Sequence, residues 1–291
     1  MLNKGFASLH PVPCFFYYFG LIILATIVYH PVFLFFAICS QIVLNFMQDG
    51  GKNLKKSIRY YLLIALFIVV LNPLISHRGE TIHFYFLDNP VTLEAFVYGI
   101  IMMMSFLTIL IGFVSYNMVI TPDKFLYLFS STFPKTALAC MMTMRFVPVL
   151  IRRSKDLALV QKTRGVDVSG RHLIKKITAG MQVLNTLVIW SLEEAIVTCK
   201  SMRARGYGVF KSRTSYFDYK MRPRDWLVLV ILVSTFGSLF YFWYKGIWHF
   251  TIYPVISKIS FDVNTALFFA TFCTYLGIPI AVEGAEKLKW R

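Results

Sequence analysis

Residues 14–47 read CFFYYFGLIILATIVYHPVFLFFAICSQIVLNFM, and no Asp, Glu, Lys or Arg interrupts them. A single helix of that length would reach about 50 Å, well beyond the roughly 30 Å hydrocarbon core of a bilayer. Pro31 lacks a backbone donor and disfavours helix at the preceding His30. The stretch therefore predicts a tight hairpin of two membrane helices broken at His30-Pro31, with one strongly kinked span as the alternative.

The whole 291-residue chain shares this apolar character, with 57% hydrophobic residues, 15% charged residues and a mean hydropathy of +0.62. Soluble domains average about 45–50% apolar and about 25% charged residues. This composition excludes an ordinary soluble domain and predicts an integral membrane protein. No basic n-region or small-residue cleavage site precedes the first apolar stretch, so we expect a retained span and not a signal peptide.

The further apolar stretches predict four more membrane spans, at about 60–76, 95–120, 226–244 and 264–282. The positive-inside rule counts Lys and Arg in short loops. It places the turn GKNLKKSIR (51–59) in the cytoplasm and the loop 77–92, with one Arg and no Lys, outside. Six spans with both chain ends inside satisfy these loop charges.

We therefore predict an all-α polytopic membrane protein with about six spans. We expect N-terminal transmembrane helices in 1–120, a cytoplasmic region in 121–224 and C-terminal transmembrane helices in 225–291. The middle region is strongly basic, since residues 145–224 hold 17 Lys and Arg against five Asp and Glu. Such a block binds nucleic acid or lies against anionic lipid. In a membrane protein we expect the lipid bilayer as partner, and no nucleic acid.

Two amphipathic helices are predicted within the middle region. The apolar stripe of the first consists of Val147, Leu150, Ile151, Leu157 and Ala158. The stripe of the second consists of Val188, Ile189, Leu192, Ala195, Ile196, Cys199 and Met202. Each helix ends in an arginine followed by a glycine, as TRG at 163–165 and as ARG at 204–206. Glycine there predicts a left-handed cap conformation at the helix C-terminus.

An arginine in the last turn of a helix has two interpretations. It favours the helix macrodipole, an effect of about 0.3–1 kcal/mol. Alternatively its planar guanidinium holds a carboxylate bidentately, which suits docking into an acidic groove of a soluble partner. The repetition of the motif on two amphipathic helices in a basic region favours docking.

The order of these motifs resembles the transmembrane T component of energy-coupling factor transporters, the CbiQ type. The resemblance covers nearly the whole chain, and its specific parts are MRFVPVLIRRSKDLALVQKTRGVD and SLEEAIVTCKSMRARGYG. Two coupling helices of that family each end in an Ala-Arg-Gly type motif that docks on an ATPase subunit. By this resemblance the ATPase-docking residues are Thr163, Arg164, Gly165, Ala204, Arg205 and Gly206, with Thr163 replacing the usual alanine.

The resemblance implies a coupling subunit of an ATP-driven importer for a vitamin or another micronutrient, in a bacterial or archaeal cell membrane. The implied partners are two ATP-binding cassette ATPase subunits and a membrane S component that holds the substrate. The implied subunit has no catalytic residue, no metal site and no cofactor. The sequence agrees with the ATPase activity lying elsewhere, since it contains no GxxxxGK[ST] motif.

Two alternative functions remain open. A membrane-embedded enzyme would use the basic region to bind a lipid phosphate, with Glu193 and Glu194 as the only adjacent acidic pair in that region. A channel or secondary transporter would favour polar residues in mid-span and inverted halves. Metal binding by His77 and His83 is not expected, and Arg145 is expected at the aqueous start of the first amphipathic helix.

Overall fold

The computed structural model describes residues 5–75, 82–86, 89–130, 132–163, 173–209, 219–246 and 263–289. Within those ranges a short 3-10 helix, Gly5–Ser8, precedes nine α-helices and one hairpin of two strands. The helices are α1 (Pro11–Ile27), α2 (Pro31–Asp49), α3 (Lys52–Ile75), α4 (Leu93–Val119), α5 (Pro122–Ser130), α6 (Pro134–Thr163), α7 (Leu173–Ala204), α8 (Pro223–Tyr244) and α9 (Val263–Lys289). The strands are β1 (Ile82–Phe86) and β2 (Asn89–Thr92). The predicted all-α class is confirmed.

The first apolar stretch forms two helices, as predicted. Helix α1 ends at Ile27, and α2 begins with Pro31 at its first position and His30 as its N-cap. The side-chain amide of Gln41 donates to the hydroxyl of Tyr17 at 2.8 Å. These two residues lie at similar distances on either side of the break, so the helices run antiparallel. The alternative of one kinked span is wrong.

Residues 82–92 were predicted as loop, and this prediction is wrong for the described part. Strands β1 and β2 pair antiparallel, from Phe86 opposite Asn89 to Ile82 opposite Thr92. The run IHFYF is rich in aromatic and β-branched residues, which favour extended pairing over irregular backbone. Thr92 then starts α4, because its hydroxyl accepts from the backbone N–H of Ala95 at 3.3 Å.

Among the described residues, six helices are long and apolar enough to cross a membrane by length and composition: α2, α3, α4, α6, α8 and α9. Five of them correspond to predicted spans. The sixth predicted span is α1, which has 17 residues and so lies at the lower limit of about 17–25 residues. Helix α6, which was assigned to the middle region, takes the sixth place instead. The result supports a multi-pass membrane protein.

The chain divides into two compact units, Met1–Phe125 with Tyr219–Arg291, and Leu126–Asp218. In the first unit, α4 packs against α1, α2 and α3, and α9 packs against α2 and α8. Its core is aromatic, with Tyr17, Phe268 and Tyr275 fully buried. Large apolar side chains along α3, such as Leu63 and Leu66, are instead about two-thirds exposed, as lipid contact requires.

Three chain segments meet at one end of the first unit. The backbone N–H of Phe6 donates to the carboxylate of Glu283 near the end of α9 at 2.8 Å. The ammonium of Lys287 donates to the carbonyl of Met47 near the end of α2. The start of the chain, the α2–α3 turn and the end of α9 are therefore neighbours. This arrangement agrees with the prediction that both chain ends and the basic residues 51–59 share one side of the membrane. The prediction of a turn there is wrong for most of that stretch, because α3 begins at Lys52.

Candidate docking helices

The candidate site lies in the second unit, where α6 packs against α7. The guanidinium carbon of Arg153 on α6 lies 4.9 Å from the centroid of the Trp190 ring on α7. A cation over an aromatic face at this distance is attracted by the ring quadrupole, by about 0.5–1 kcal/mol at exposed sites. The two helices are thus joined by a specific contact in addition to their apolar packing.

Helix α7 confirms the predicted amphipathic helix and shows which of its faces is covered. Ala179 and Val183 are buried, and Trp190, Glu194 and Met202 are partly buried, at a spacing that defines one face. Most of the predicted apolar stripe lies on another face and is exposed. Its members Val188, Ile189, Leu192 and Ile196 are 46–61% exposed. As far as the described residues show, this face is an exposed apolar surface.

The end of α7 has the geometry of a Schellman motif. Ala204 is the last helical residue, Arg205 is the cap, and Gly206 has a φ of +85°. The N–H of Gly206 donates to the carbonyl of Arg203, and the N–H of Tyr207 donates to the carbonyl of Met202, both at 3.0 Å. This pair of bonds satisfies two of the last carbonyls and ends the helix. The predicted glycine cap is confirmed, and Arg205 lies directly after the last turn instead of within it.

Glycine is required at position 206 because of its backbone angle, and not because a side chain would clash with a neighbour. A Cβ at Gly206 would meet no atom within 4 Å, and the same holds at Gly208, whose φ is +89°. Residues with a Cβ rarely adopt these angles. The two positive φ angles therefore end the helix directly after Arg205.

The tip combines positive charge with apolar surface. Lys200, Arg203 and Arg205 are all exposed, and Tyr207 and Val209 beyond the cap are exposed as well. Within the described parts of the chain, the Arg205 side chain has no hydrogen bond or ion pair of its own. The planar guanidinium of an exposed arginine presents several donors in the geometry that a carboxylate accepts.

The first docking motif is described only up to its first residue. Thr163 is the last residue of α6, is exposed, and donates from its hydroxyl to the carbonyl of Val160 at 2.7 Å. Arg164 and Gly165 lie outside the described residues, so their roles stay predictions. Arg145 is exposed, as expected, but it lies well inside α6, which begins at Pro134, so its predicted place at the start of the helix is wrong.

The acidic pair considered for an enzyme does not form a catalytic arrangement. Glu193 is exposed and Glu194 is half-buried on the surface of α7. Adjacent residues of a helix do not face each other, so the two carboxylates diverge. In the described ranges, no three His, Cys, Asp or Glu side chains lie together as metal ligands would. His77 and the side chain of His83 lie outside those ranges.

Comparison with known proteins gives a consistent picture. A family model described as cobalt transport protein, CbiQ, matches residues 7–216. The energy-coupling factor transporter transmembrane protein EcfT of Lacticaseibacillus paracasei is 26% identical over 224 residues, which cover 73% of this chain and 83% of that relative. EcfT 1 of Listeria monocytogenes is 26% identical over 216 residues, covering 69% and 78%. EcfT of Staphylococcus aureus is 30% identical over 104 residues, covering 36% and 39%, so that match spans well under half of the relative.

Proposed function

Because the chain belongs to the CbiQ family of cobalt transport proteins, we propose that it is the transmembrane coupling subunit of an ATP-driven importer of the energy-coupling factor type. Its relatives over most of its length are named as EcfT transmembrane proteins of such transporters. The observation that carries the proposal is the tip of α7, where a glycine cap leaves Arg205 exposed beside further cations. The subunit itself is non-catalytic and multi-pass in the cell membrane.

The proposed partners on the cytoplasmic side are two ATP-binding cassette ATPase subunits. Arg205, flanked by Ala204 and Gly206, docks into an acidic groove of one of them. Thr163, Arg164 and Gly165 dock on the other. The Schellman motif supports this role, since a helix end held by two backbone bonds loses little freedom when it binds. ATP-driven closing of the ATPases then moves both helix ends.

The proposed partner in the membrane is an S component that holds the substrate. The exposed stripe of α7, with Val188, Leu192 and Ile196, is the candidate surface for it. Wherever the stripe faces water, burial of its apolar area stabilises such a contact by roughly 25 cal/mol per Å². The Arg153–Trp190 contact joins α7 to α6, so that both helices move together when either end is displaced. We propose a vitamin or another micronutrient as the substrate class.

The docking role is tested by charge reversal. The full chain carrying Arg205→Glu is co-expressed with both ATPases and purified through the ATPase. Removing one partner of a buried charge pair costs about 2–5 kcal/mol, so we expect at least about 30-fold weaker association. Arg152→Glu is the matched control, because Arg152 is exposed on α6 away from the helix end.

Membrane insertion of both variants is measured in parallel, and we expect it to be unchanged. Stoichiometric co-purification of the Arg205→Glu chain with both ATPases, together with normal uptake, would refute the docking role. ATP hydrolysis by the chain alone would refute the assignment as a non-catalytic subunit.

A further inference from the structure

The first described residues of the chain, 5–10, are packed into the first unit and are called here the N-terminal segment. Phe6 and Leu9 are fully buried within its aromatic core. The backbone N–H of Phe6 donates to Glu283 at 2.8 Å. Gly5 has a φ of +77°, and a Cβ there would overlap the Glu283 carboxylate. The segment is thus fixed to the end of α9 by apolar burial, a charge-assisted bond and a close backbone approach.

The N-terminal segment also holds the point where the chain enters the second unit. Lys124 lies two residues before Leu126, the first residue of that unit. Its ammonium donates to the carbonyl of Ala7 at 2.6 Å and to the carbonyl of Val119, the last residue of α4, at 3.1 Å. The Lys124 side chain is buried, and a buried ammonium is tolerated only with such partners.

The same segment holds the point where the chain leaves the second unit. Tyr219 is the first residue after that unit, and its carbonyl lies 3.2 Å from Nε2 of His10. Nδ1 of His10 accepts from the N–H of Val12 at 3.3 Å, so the tautomer with its proton on Nε2 satisfies both contacts. The rings of His10 and Tyr219 also meet edge to face, with centroids 6.4 Å apart.

A further contact ties the start of α8 to the same place. The guanidinium of Arg224 donates to the hydroxyl of Ser8 at 2.9 Å and lies 3.9 Å from the carboxylate of Glu286. Asp225 caps the helix start by accepting from the N–H of Arg222 at 3.0 Å. The N-terminal segment therefore contacts the α4–α5 junction, the start of α8 and the end of α9.

We infer that the N-terminal segment is an anchor that fixes both chain connections of the second unit, with Lys124 and His10 as its positioning residues. The inference rests on the proposed coupling function. When the ATPases displace the docking helices, the fixed chain connections keep the first unit from yielding, so that the movement of the helices acts on the membrane partner. Without the contacts of the N-terminal segment, the α4–α5 junction and residues 219–222 would shift instead, and ATP would be hydrolysed without transport.

The test uses the complete transporter in proteoliposomes and measures uptake and ATP hydrolysis together. Lys124→Met removes the donor at nearly constant volume and leaves the carbonyls of Ala7 and Val119 without it. We expect association with the ATPases and most of the ATP hydrolysis to persist, while uptake per ATP falls about tenfold. The reason is that losing one hydrogen bond to a charged group shifts the equilibrium between the fixed and the displaced junction by about that factor. Lys124→Arg, which keeps donors, is expected to recover part of the ratio. Lys55→Met is the matched control, because Lys55 is exposed on α3.

A second pair of variants applies even if Lys124→Met fails to fold. His10→Gln keeps a donor near the position of Nε2, whereas His10→Leu removes it. We expect uptake per ATP to stay near the wild-type value in the first and to fall in the second. A merely structural role would lower uptake and hydrolysis in proportion. If uptake per ATP were equal in wild type, Lys124→Met and His10→Leu, with both ATPases bound, the anchor role of the N-terminal segment would be refuted and the docking role would stand.

Failure of the docking role has a different signature. If the wild-type chain does not associate with ATPases, the proposed function is wrong. Amide hydrogen exchange on the wild-type chain and on the Lys124→Met chain then still tests the anchor. We expect faster exchange in residues 5–10 and 119–125 of the variant, and unchanged exchange there would overturn the anchor independently.

Discussion

Replacement of Gly206 by alanine separates the shape of the α7 tip from its charge. A Cβ at this position meets no atom within 4 Å, so the substitution causes no clash. The substitution instead raises the free energy of the cap conformation, because a φ of +85° costs a residue with a Cβ about 1–2 kcal/mol. The variant is therefore expected to lose the two Schellman bonds, which moves the Arg205 side chain, while the net charge of the helix end stays the same.

The expected result is a weaker complex at unchanged net charge. Since every 1.4 kcal/mol is a factor of about ten, we expect the Kd of the purified chain for the ATPase pair to rise about 5- to 30-fold. The assay is biolayer interferometry with the chain in nanodiscs. Gly206→Asn is expected to lose less, because asparagine tolerates the left-handed region better.

Gly180→Ala is the matched control for this prediction. Gly180 lies on the same helix, has open space at its Cβ position and is inside the helix, where alanine is favoured over glycine. We expect its affinity to equal that of the wild type. If Gly206→Ala bound the ATPases as tightly as Gly180→Ala, the left-handed cap would have no part in presenting Arg205.

Two more predictions concern the N-terminal segment. Gly5→Ala combines a strained φ with overlap on Glu283, whereas Gly50→Ala has a φ of +62° and open space; we expect Gly5→Ala to lower the thermal midpoint clearly more, and equal midpoints would contradict the close approach. Burial lowers the pKa of His10 from its ordinary value of 6.5, opposed by its bond to the carbonyl of Tyr219 and by the charge of Asp225. The unfolded chain therefore binds more protons between the folded pKa and 6.5. Stability is fully present above pH 6.5, falls as the pH drops through that window, and levels off below it. Thermal melts across the window should show this slope in wild type and a smaller one in His10→Gln; equal slopes would contradict it.

Much of the fold follows from short stretches of sequence. Pro31 broke the first apolar stretch where predicted, and Gly206 adopted the predicted cap. Both are local effects, since proline fixes its own φ and glycine permits a positive one. The strand pair at residues 82–92 was missed because pairing depends on a partner strand, which periodicity within one strand does not reveal. Helix α6 is missing from the predicted spans, because charged residues interrupt its moderately apolar sequence.

The sequence alone determined the membrane class, the helix break at His30-Pro31 and the cation at the end of α7. These depend on hydropathy, backbone preference and charge within windows of a few to about twenty residues. Only the tertiary structure decided that the N-terminal segment lies against Glu283, 277 residues away, and against Lys124, 117 residues from Ala7. Such contacts depend on how whole helices pack, and many packings bury the same apolar residues equally well. The chemistry of Lys124 or Glu283 becomes specific only when the fold brings a carbonyl or an N–H within hydrogen-bonding distance.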